Sequence, residues 1–313
     1  MAIQEHILIA GGTGMVGKAL VNMLLKKHKI TILTRDGSGK PETNSNLKYK
    51  EWHPTMGADN NLELDDVTVI INLAGANVFD KAWTEQYKQE ILNSRVASTR
   101  TLVNAINDTP NKVHTFISTS AIGIYGHSND SKVFTETDDA VEPDFLTKVC
   151  NIWESEALRT NSAVRKIINR FGLVQSIYGG SFKESLKPLH FRVSATLGDG
   201  KQIFSWIHIN DLCAAISEEI ENPVYSGIYN MVAPNPVSNK VYSKSMANAM
   251  YGNGYISIPM PAFILKMLLG ERAIAVLKSC NVSSDKLSGT GFNFQYPDID
   301  TAMEALVKAY QSN

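Results

Sequence analysis

Apolar and polar positions follow two rhythms along the chain. Short apolar runs, mostly rich in Ile and Val, recur at HILIA (6–10), KITILT (29–34), LKYKEW (47–52), VTVIINLAG (67–75), VHTFISTS (113–120), VRKIINRFG (164–172) and GIYNMV (227–232). Between most of them stand longer stretches in which apolar residues return every three or four positions, as at 14–27, from 84 to about 107, and in DFLTKVCNIWE at 144–154. Runs of the first kind read as strands buried on both faces, and those of the second as amphipathic helices. Their alternation predicts an α/β fold, a doubly wound parallel sheet of Rossmann type. The turn-rich stretch HPTMGADNNLELDD at 53–66 departs from it and reads as a loop in place of a crossover helix.

From about Tyr178 the pattern loosens, with Gly179, Gly180, Gly198 and Gly200 marking loops. SWIHINDLCAAISEEI at 205–220 reads as a strand end and a helix capped by Asn210 or Asp211. Further helices are expected near 238–251, 261–278 and 299–311. The division that follows is a Rossmann core over 1–176, completed by about 203–232, and a small C-terminal α/β lobe from 177–202 and 233–313 on the substrate side. The most apolar segment, 260–277, carries Lys266, Glu271 and Arg272. It reads as an amphipathic helix packed on the body, in preference to a partner or membrane-surface helix.

Composition narrows the function classes. Of 313 residues, 43% are hydrophobic and 19% charged, enough for a sizeable core. Lys and Arg number 30 against 31 Asp and Glu, a net charge of −1, so the basic footprint of a nucleic-acid binder is missing. No run of about 18 uncharged apolar residues exists, so no membrane span is expected. Glu5 and the glycines that interrupt the first apolar run argue against a signal peptide. The three cysteines, Cys150, Cys213 and Cys280, form no CxxC pair, and the seven histidines no metal-ligand cluster. Neither disulfide framework nor metal site is signalled, and a reducing, cytoplasmic compartment is expected.

The strongest chemical signal is IAGGTGMVGKAL at 9–20, where a strand, a glycine turn and a helix follow one another. Gly11 permits the tight turn, Gly14 lets a pyrophosphate approach the backbone, and Gly17 lets the helix pack on the strand. The helix N-terminus offers unpaired N–H groups to the phosphates. Gly12 to Lys18 also fits the start of a nucleoside-triphosphate loop, but Ala19 stands where that loop needs a Ser or Thr for magnesium. The second strand ends in ILTRD. Arg35 suits the 2′-phosphate of NADP(H), which an acidic residue would repel; the alternative is Asp36 on the ribose of NAD, with Arg35 a solvated surface residue.

GGTGMVG, NLAGANV, STSAIGIYG and WIHINDL together resemble an extended short-chain dehydrogenase/reductase, a relative of the sugar-nucleotide epimerases. NLAGANVFDKAWTEQYKQEILNSRVASTRTLV, DFLTKVCNIWE and GFNFQYPDIDTAMEAL are similar, more narrowly, to the atypical epimerase-like "39U" family of NADP-binding proteins, over about 6–311. The resemblance implies a Rossmann core with a C-terminal lobe over a substrate cleft, and NADP(H) as cofactor. It implies that Gly11, Thr13, Gly14, Met15 and Val16 line the pyrophosphate and Arg35 the 2′-phosphate. Leu73, Ala74 and Gly75 would pass beside the adenosine and ribose. Ser118 and Thr119, ending strand five, would approach the nicotinamide ribose, and Gly172, Leu173 and Val174 the carboxamide. Leu73, Leu173 and Val174 also read as plain core. Ser120, Tyr125, Trp206 and His208 are expected to line the substrate cleft.

Dehydrogenases of this superfamily pair a Tyr with a Lys four residues later on one helix face, where the lysine lowers the tyrosine pKa. None of the 11 tyrosines here has lysine at that spacing. Anchoring on Glu154 puts Leu146 and Cys150 at the two positions, and a shift of one residue gives Phe145 and Val149. Ser120 is the best remaining hydroxyl and the one catalytic candidate. Arg95 replaces the asparagine usual in the long helix; it reads either as a cofactor or anion contact or as one half of a surface salt bridge. Cys150 reads as a small buried hydrophobe. Two functions follow: an NADP(H)-dependent, epimerase-like oxidoreductase of an unnamed small-molecule substrate, or a non-catalytic NADP(H)-binding redox sensor or regulator. A homodimer is left open.

Overall fold

The computed structural model describes residues 5–37, 44–54, 62–127, 132–141 and 143–312. The first half follows the expected alternation: β1 (His6–Ala10), α1 (Met15–Leu24), β2 (Lys29–Thr34), β3 (Leu47–Glu51), β4 (Val69–Asn72), α2 (Glu85–Asp108) and β5 (Thr115–Ala121). A short β6 (Val133–Phe134), α3 (Phe145–Leu158), β7 (Arg165–Phe171) and β8 (Leu173–Gln175) come next. Then come α4 (Gly180–Leu189), β9 (Val193–Leu197), β10 (Ile203–Phe204), β11 (Trp206–His208), α5 (Ile209–Glu221) and β12 (Gly227–Met231). The chain closes with β13 (Val237–Ser238), α6 (Asn239–Tyr251), β14 (Ile256–Met260), α7 (Ala262–Leu269), α8 (Ala273–Leu277), β15 (Asn281–Val282), α9 (Asp285–Ser288) and α10 (Ile299–Gln311).

Seven strands form one parallel sheet in the order β12-β7-β5-β4-β1-β2-β3. Both faces of the central strands are covered, which is why β1 and β4 carry continuous apolar runs. On one face Ile7, Ile9, Ile30, Val69 and Ile71 pack with Leu20, Val21 and Leu24 of α1 and Leu212 and Ile216 of α5. On the other, Leu8, Leu33, Ile70, Phe116 and Ile168 pack with Leu102, Val103 and Ile106 of α2 and Ala157 of α3. The strand order reverses between β1 and β4, and such a switch point opens a crevice at the strands' carboxyl ends.

Phe182 and Leu186 of α4, Tyr242 and Met246 of α6, and Met303 and Leu306 of α10 build a separate core with Trp206. In it β9 pairs in parallel with β14; α4, β9 and β14 left no clear pattern in the sequence. The expected helix over 261–278 is broken, because Gly270 closes α7 at φ +59 and a 3-10 turn leads into α8. Nor does α7 pack as an amphipathic helix does: of its residues only Leu265 is buried, while Phe263 and Met267 are 70% and 75% exposed. Of the loop expected at 53–66, residues 55–61 lie outside the described residues; 62–66 form no helix or strand, and Leu62 and Leu64 are buried. Among the described residues no helix is long and apolar enough to cross a membrane.

Candidate active site

The glycine turn stands at the switch point. Gly11 leaves β1 at φ +80, and a Cβ there would lie 2.7 Å from the Leu73 backbone as it leaves β4. Gly17 packs still closer: its Cβ would meet the Gly11 carbonyl oxygen at 2.4 Å and Gly12 Cα at 2.6 Å. Gly14 caps α1 with no side chain in the way, and its N–H donates to the Gly11 carbonyl at 3.0 Å. Thr13 and Gly14 are exposed, while Met15 and Val16 are partly buried. The result is a cradle of backbone with an open helix N-terminus, which suits a diphosphate. Arg35, one residue past β2, is exposed, as is Asp36.

The exit from β4 is fixed by Asn72, which donates to Thr99 Oγ1 at 2.9 Å and accepts from the Ala74 N–H at 3.2 Å. Arg95, from α2, lies against Gly75, where a Cβ would meet its side chain at 3.1 Å. Its Nη1 donates to the carbonyls of Ala76 and Ile91 at 2.9 and 3.0 Å, and its Cζ stands 5.1 Å from the Trp153 ring centre. Burial lowers its pKa. Among the described residues no carboxylate pairs with it, so the surface salt bridge does not form and a partly buried cation stands beside Gly75 without a counter-charge.

Ser118 and Thr119 do not end strand five, because β5 runs on to Ala121. Both are buried; Thr119 donates to the Asn72 carbonyl at 2.5 Å, and Ser118 Oγ has no hydrogen-bond partner among the described residues. At the end of β7, Gly172 allows the close approach of Ser205, whose carbonyl oxygen would stand 2.6 Å from a Cβ. Leu173 and Val174 follow, half-buried, packed against the lobe core and the sheet core respectively.

DFLTKVCNIWE forms the first three turns of α3. Asp144 caps it through a capping box with Thr147. Asp144 Oδ2 also meets Lys278 of the C-terminal segment at 3.0 Å. Lys148 is exposed and Cys150 buried, as expected. Leu146 and Cys150 face the turn after β5, where a Cβ on Gly123 would lie 3.4 Å from Leu146 Cβ and 3.9 Å from Cys150 Sγ. Burial, then Glu154, push the Cys150 thiol up to about 11, so it is not a thiolate nucleophile at neutral pH.

Ser120 is not a free hydroxyl. It donates to Glu154 Oε1 at 2.6 Å, and the same carboxylate takes Nε and Nη2 of Arg170 at 2.9 Å each. Arg170 Nη1 in turn donates to the Tyr125 hydroxyl at 2.8 Å, which donates to Asn230 Oδ1 at 2.7 Å. This buried chain joins β5, α3, β7 and β12. The sequence carried one signal for it, an arginine inside the apolar run IINRF.

Three cleft expectations need correction. Tyr125 is 0% exposed, stacked on Phe134, with its pKa raised by burial to about 12. Trp206 is 0% exposed inside the lobe core, its indole N–H on the Asn235 carbonyl at 3.0 Å. His208 is 4% exposed and is itself the cap of α5, Nδ1 accepting from the Asn210 N–H at 3.1 Å. Neither Asn210 nor Asp211 is the cap; the Asp211 carboxylate accepts the N–H groups of Gln295 and Tyr296 at 2.9 and 3.0 Å.

Comparison with known proteins agrees with this architecture. Residues 7–231 match the NAD dependent epimerase/dehydratase family, and residues 260–306 a domain of unknown function, DUF1731. The chain is 34% identical over 304 residues to the epimerase family protein YfhF of Bacillus subtilis, covering 96% of this chain and 98% of that one. It is 36% identical over 307 residues to the epimerase family protein SH2119 of Staphylococcus haemolyticus, covering 97% and 100%. The crystal structure of the human epimerase family protein SDR39U1 with NADPH superposes with a TM-score of 0.85 at 26% identity, covering 97% and 99%. A UDP-glucuronic acid 4-epimerase from Bacillus cereus, in complex with UDP-glucuronic acid and NAD, shares the fold at a TM-score of 0.77 and 16% identity, covering 98% and 99%. Glycine cradle, strand order and C-terminal segment thus lead to one conclusion: the chain belongs to the NAD dependent epimerase/dehydratase family.

Proposed function

We propose that this protein binds NADP(H) at the β1/β4 switch point and acts as an epimerase-like oxidoreductase on a small-molecule substrate, without a Tyr–Lys pair. The observation that carries the reading is the backbone cradle at Gly11, Gly14 and Gly17, which excludes side chains from the place where α1 begins. In this reading the first turn of α1 holds the pyrophosphate, and Arg35 takes the 2′-phosphate bidentately. The Arg95 guanidinium, over the Trp153 ring and without a carboxylate partner among the described residues, holds an anionic group of cofactor or substrate beside Gly75. The bound nicotinamide supplies hydride chemistry. The NADPH-bound human relative supports this choice of cofactor; the NAD-bound epimerases, under 25% identical, speak for the fold alone.

A non-catalytic redox sensor is the second reading, favoured by one observation: Ser120, Glu154, Arg170 and Tyr125 are closed on one another beside an apolar Leu146–Cys150 surface. Titrations with NADPH and NADH test the cofactor. Wild type should prefer NADPH and Arg35→Glu should lose that preference; equal wild-type affinities refute it. NADPH oxidation over a panel of carbonyl compounds and sugar nucleotides then separates the two readings, because tight binding without turnover leaves the sensor.

A further inference from the structure

On the sheet face opposite α3, α5 places Glu219 against β7. Glu219 is 0% exposed and its neighbour Asn169 is 1% exposed. Asn169 Nδ2 donates to Glu219 Oε2 at 2.8 Å. The other carboxylate oxygen, Glu219 Oε1, and the single amide oxygen, Asn169 Oδ1, are buried and have no hydrogen-bond partner among the described residues. Both atoms are acceptors in the ionised state, and an ionised Glu219 would leave two orphans and an unpaired buried charge.

Among the described residues no nearby side chain supplies the missing donor. Arg165, on the same strand, gives Nη1 to the carbonyls of Asn222 and Tyr225 at 3.1 and 2.9 Å, and Nη2 to Thr115 Oγ1 and the Ile220 carbonyl at 3.0 and 3.4 Å. Tyr225 donates its hydroxyl to Glu218 at 2.8 Å, and the Tyr229 hydroxyl accepts from the Ser226 N–H at 3.4 Å. Between α5 and the end of α1, Lys27 and His28 stand 2.9 and 4.0 Å from Glu221, not Glu219.

We infer that Glu219 is a neutral carboxylic acid whose Oε1–H is donated to Asn169 Oδ1, closing an acid–amide ring that ties α5 to β7 as a pH-sensitive latch. One proton satisfies both orphaned oxygens. Burial pushes the Glu219 carboxyl up to about 8, against the opposing pull of Asn169 and Arg165, in keeping with that state. Asn169 pairs in register with Thr119 and Tyr229 and lies two residues before the end of β7, so the ring sits beneath the exit that leads to Gly172.

The sign follows from linkage. Below 4.5 the carboxyl is protonated both folded and unfolded, and the ring contributes fully. Between 4.5 and about 8 only the unfolded chain gives up the proton, so the contribution falls across this window and stays lost above it.

Glu219→Gln tests the ring in the full chain, since its amide N–H takes the place of the O–H without change of shape. Thermal midpoints of wild type and E219Q from pH 5 to pH 9 are read beside infrared spectra. Wild type at pH 6 should show a buried carboxylic-acid C=O stretch that E219Q lacks. The midpoint of E219Q should match or trail wild type at pH 5 and exceed it by several degrees at pH 9. Absence of the acid band, or midpoints that run parallel, overturns the inference and means an ionised Glu219 served by a buried water. If E219Q does not fold, the wild-type band, present at pH 6 and lost as pH rises past 8, decides the same question.

Discussion

Arg170 meets both carboxylate oxygens of Glu154 at 2.9 Å, and each side chain is 7% exposed. A bidentate pair this deep is costly to break from one side, because the remaining partner keeps its charge without water. Glu154→Ala should therefore destabilise the fold by about 3–5 kcal/mol, measured by urea unfolding. Glu154→Gln should lose less, since its amide oxygen still accepts from Arg170 and Ser120. A loss below about 1 kcal/mol for the alanine variant would mean that water reaches the pair.

The glycine cradle permits a prediction about a single methyl group. At Gly17 a Cβ would stand 2.4 Å from the Gly11 carbonyl oxygen, and both neighbours are backbone. Gly17→Ala should push α1 away from β1, lower the melting temperature and weaken dinucleotide binding at least tenfold by fluorescence titration. Gly252→Ala is the control, for its surroundings hold nothing within 4 Å though its φ of +58 is also left-handed. It should cost about 1 kcal/mol and leave binding unchanged.

Among the described residues Arg95 has no carboxylate partner, and its hydrogen bonds to the protein run from Nη1. Arg95→Met keeps the stem on Trp153 and removes the charge. NADPH affinity should fall by about ten- to a hundredfold, the worth of one charge-assisted hydrogen bond. Melting temperature should hold or rise, since a desolvated cation is removed. Unchanged affinity would assign Arg95 to packing alone.

His208 is buried at the start of α5, and burial lowers its pKa to about 4. An unfolded histidine titrates near 6.5, so the unfolded chain binds the extra proton first as pH falls. Stability conferred by the neutral ring is complete above 6.5 and lost as pH falls toward 4, on the order of 3 kcal/mol in all. His208→Asn retains a capping acceptor and should flatten this acid limb in thermal unfolding between pH 7 and pH 4.

Cys150, 4% exposed with its thiol pushed up to about 11, should resist alkylation in the folded protein at pH 8. Iodoacetamide labelling followed by mass spectrometry should modify it quickly only after unfolding. Fast native labelling would show that α3 opens toward solvent.

The sequence by itself determined the sheet and its entrance. Strands buried on both faces must be apolar throughout, so β1, β2, β4, β5 and β7 announced themselves, and a turn that excludes every side chain had to be glycine at Gly11 and Gly17. It also told that no tyrosine and lysine share a helix face, because that is a matter of spacing alone. Tertiary structure decided what burial and distant partners control. It put Tyr125, Trp206 and His208 inside the protein rather than on a cleft wall, gave the cap of α5 to His208, and joined Ser120 to Glu154 across 34 positions of chain. It also set the weakly patterned β9 beside β14, whose pairing depends on backbone groups that no side chain records.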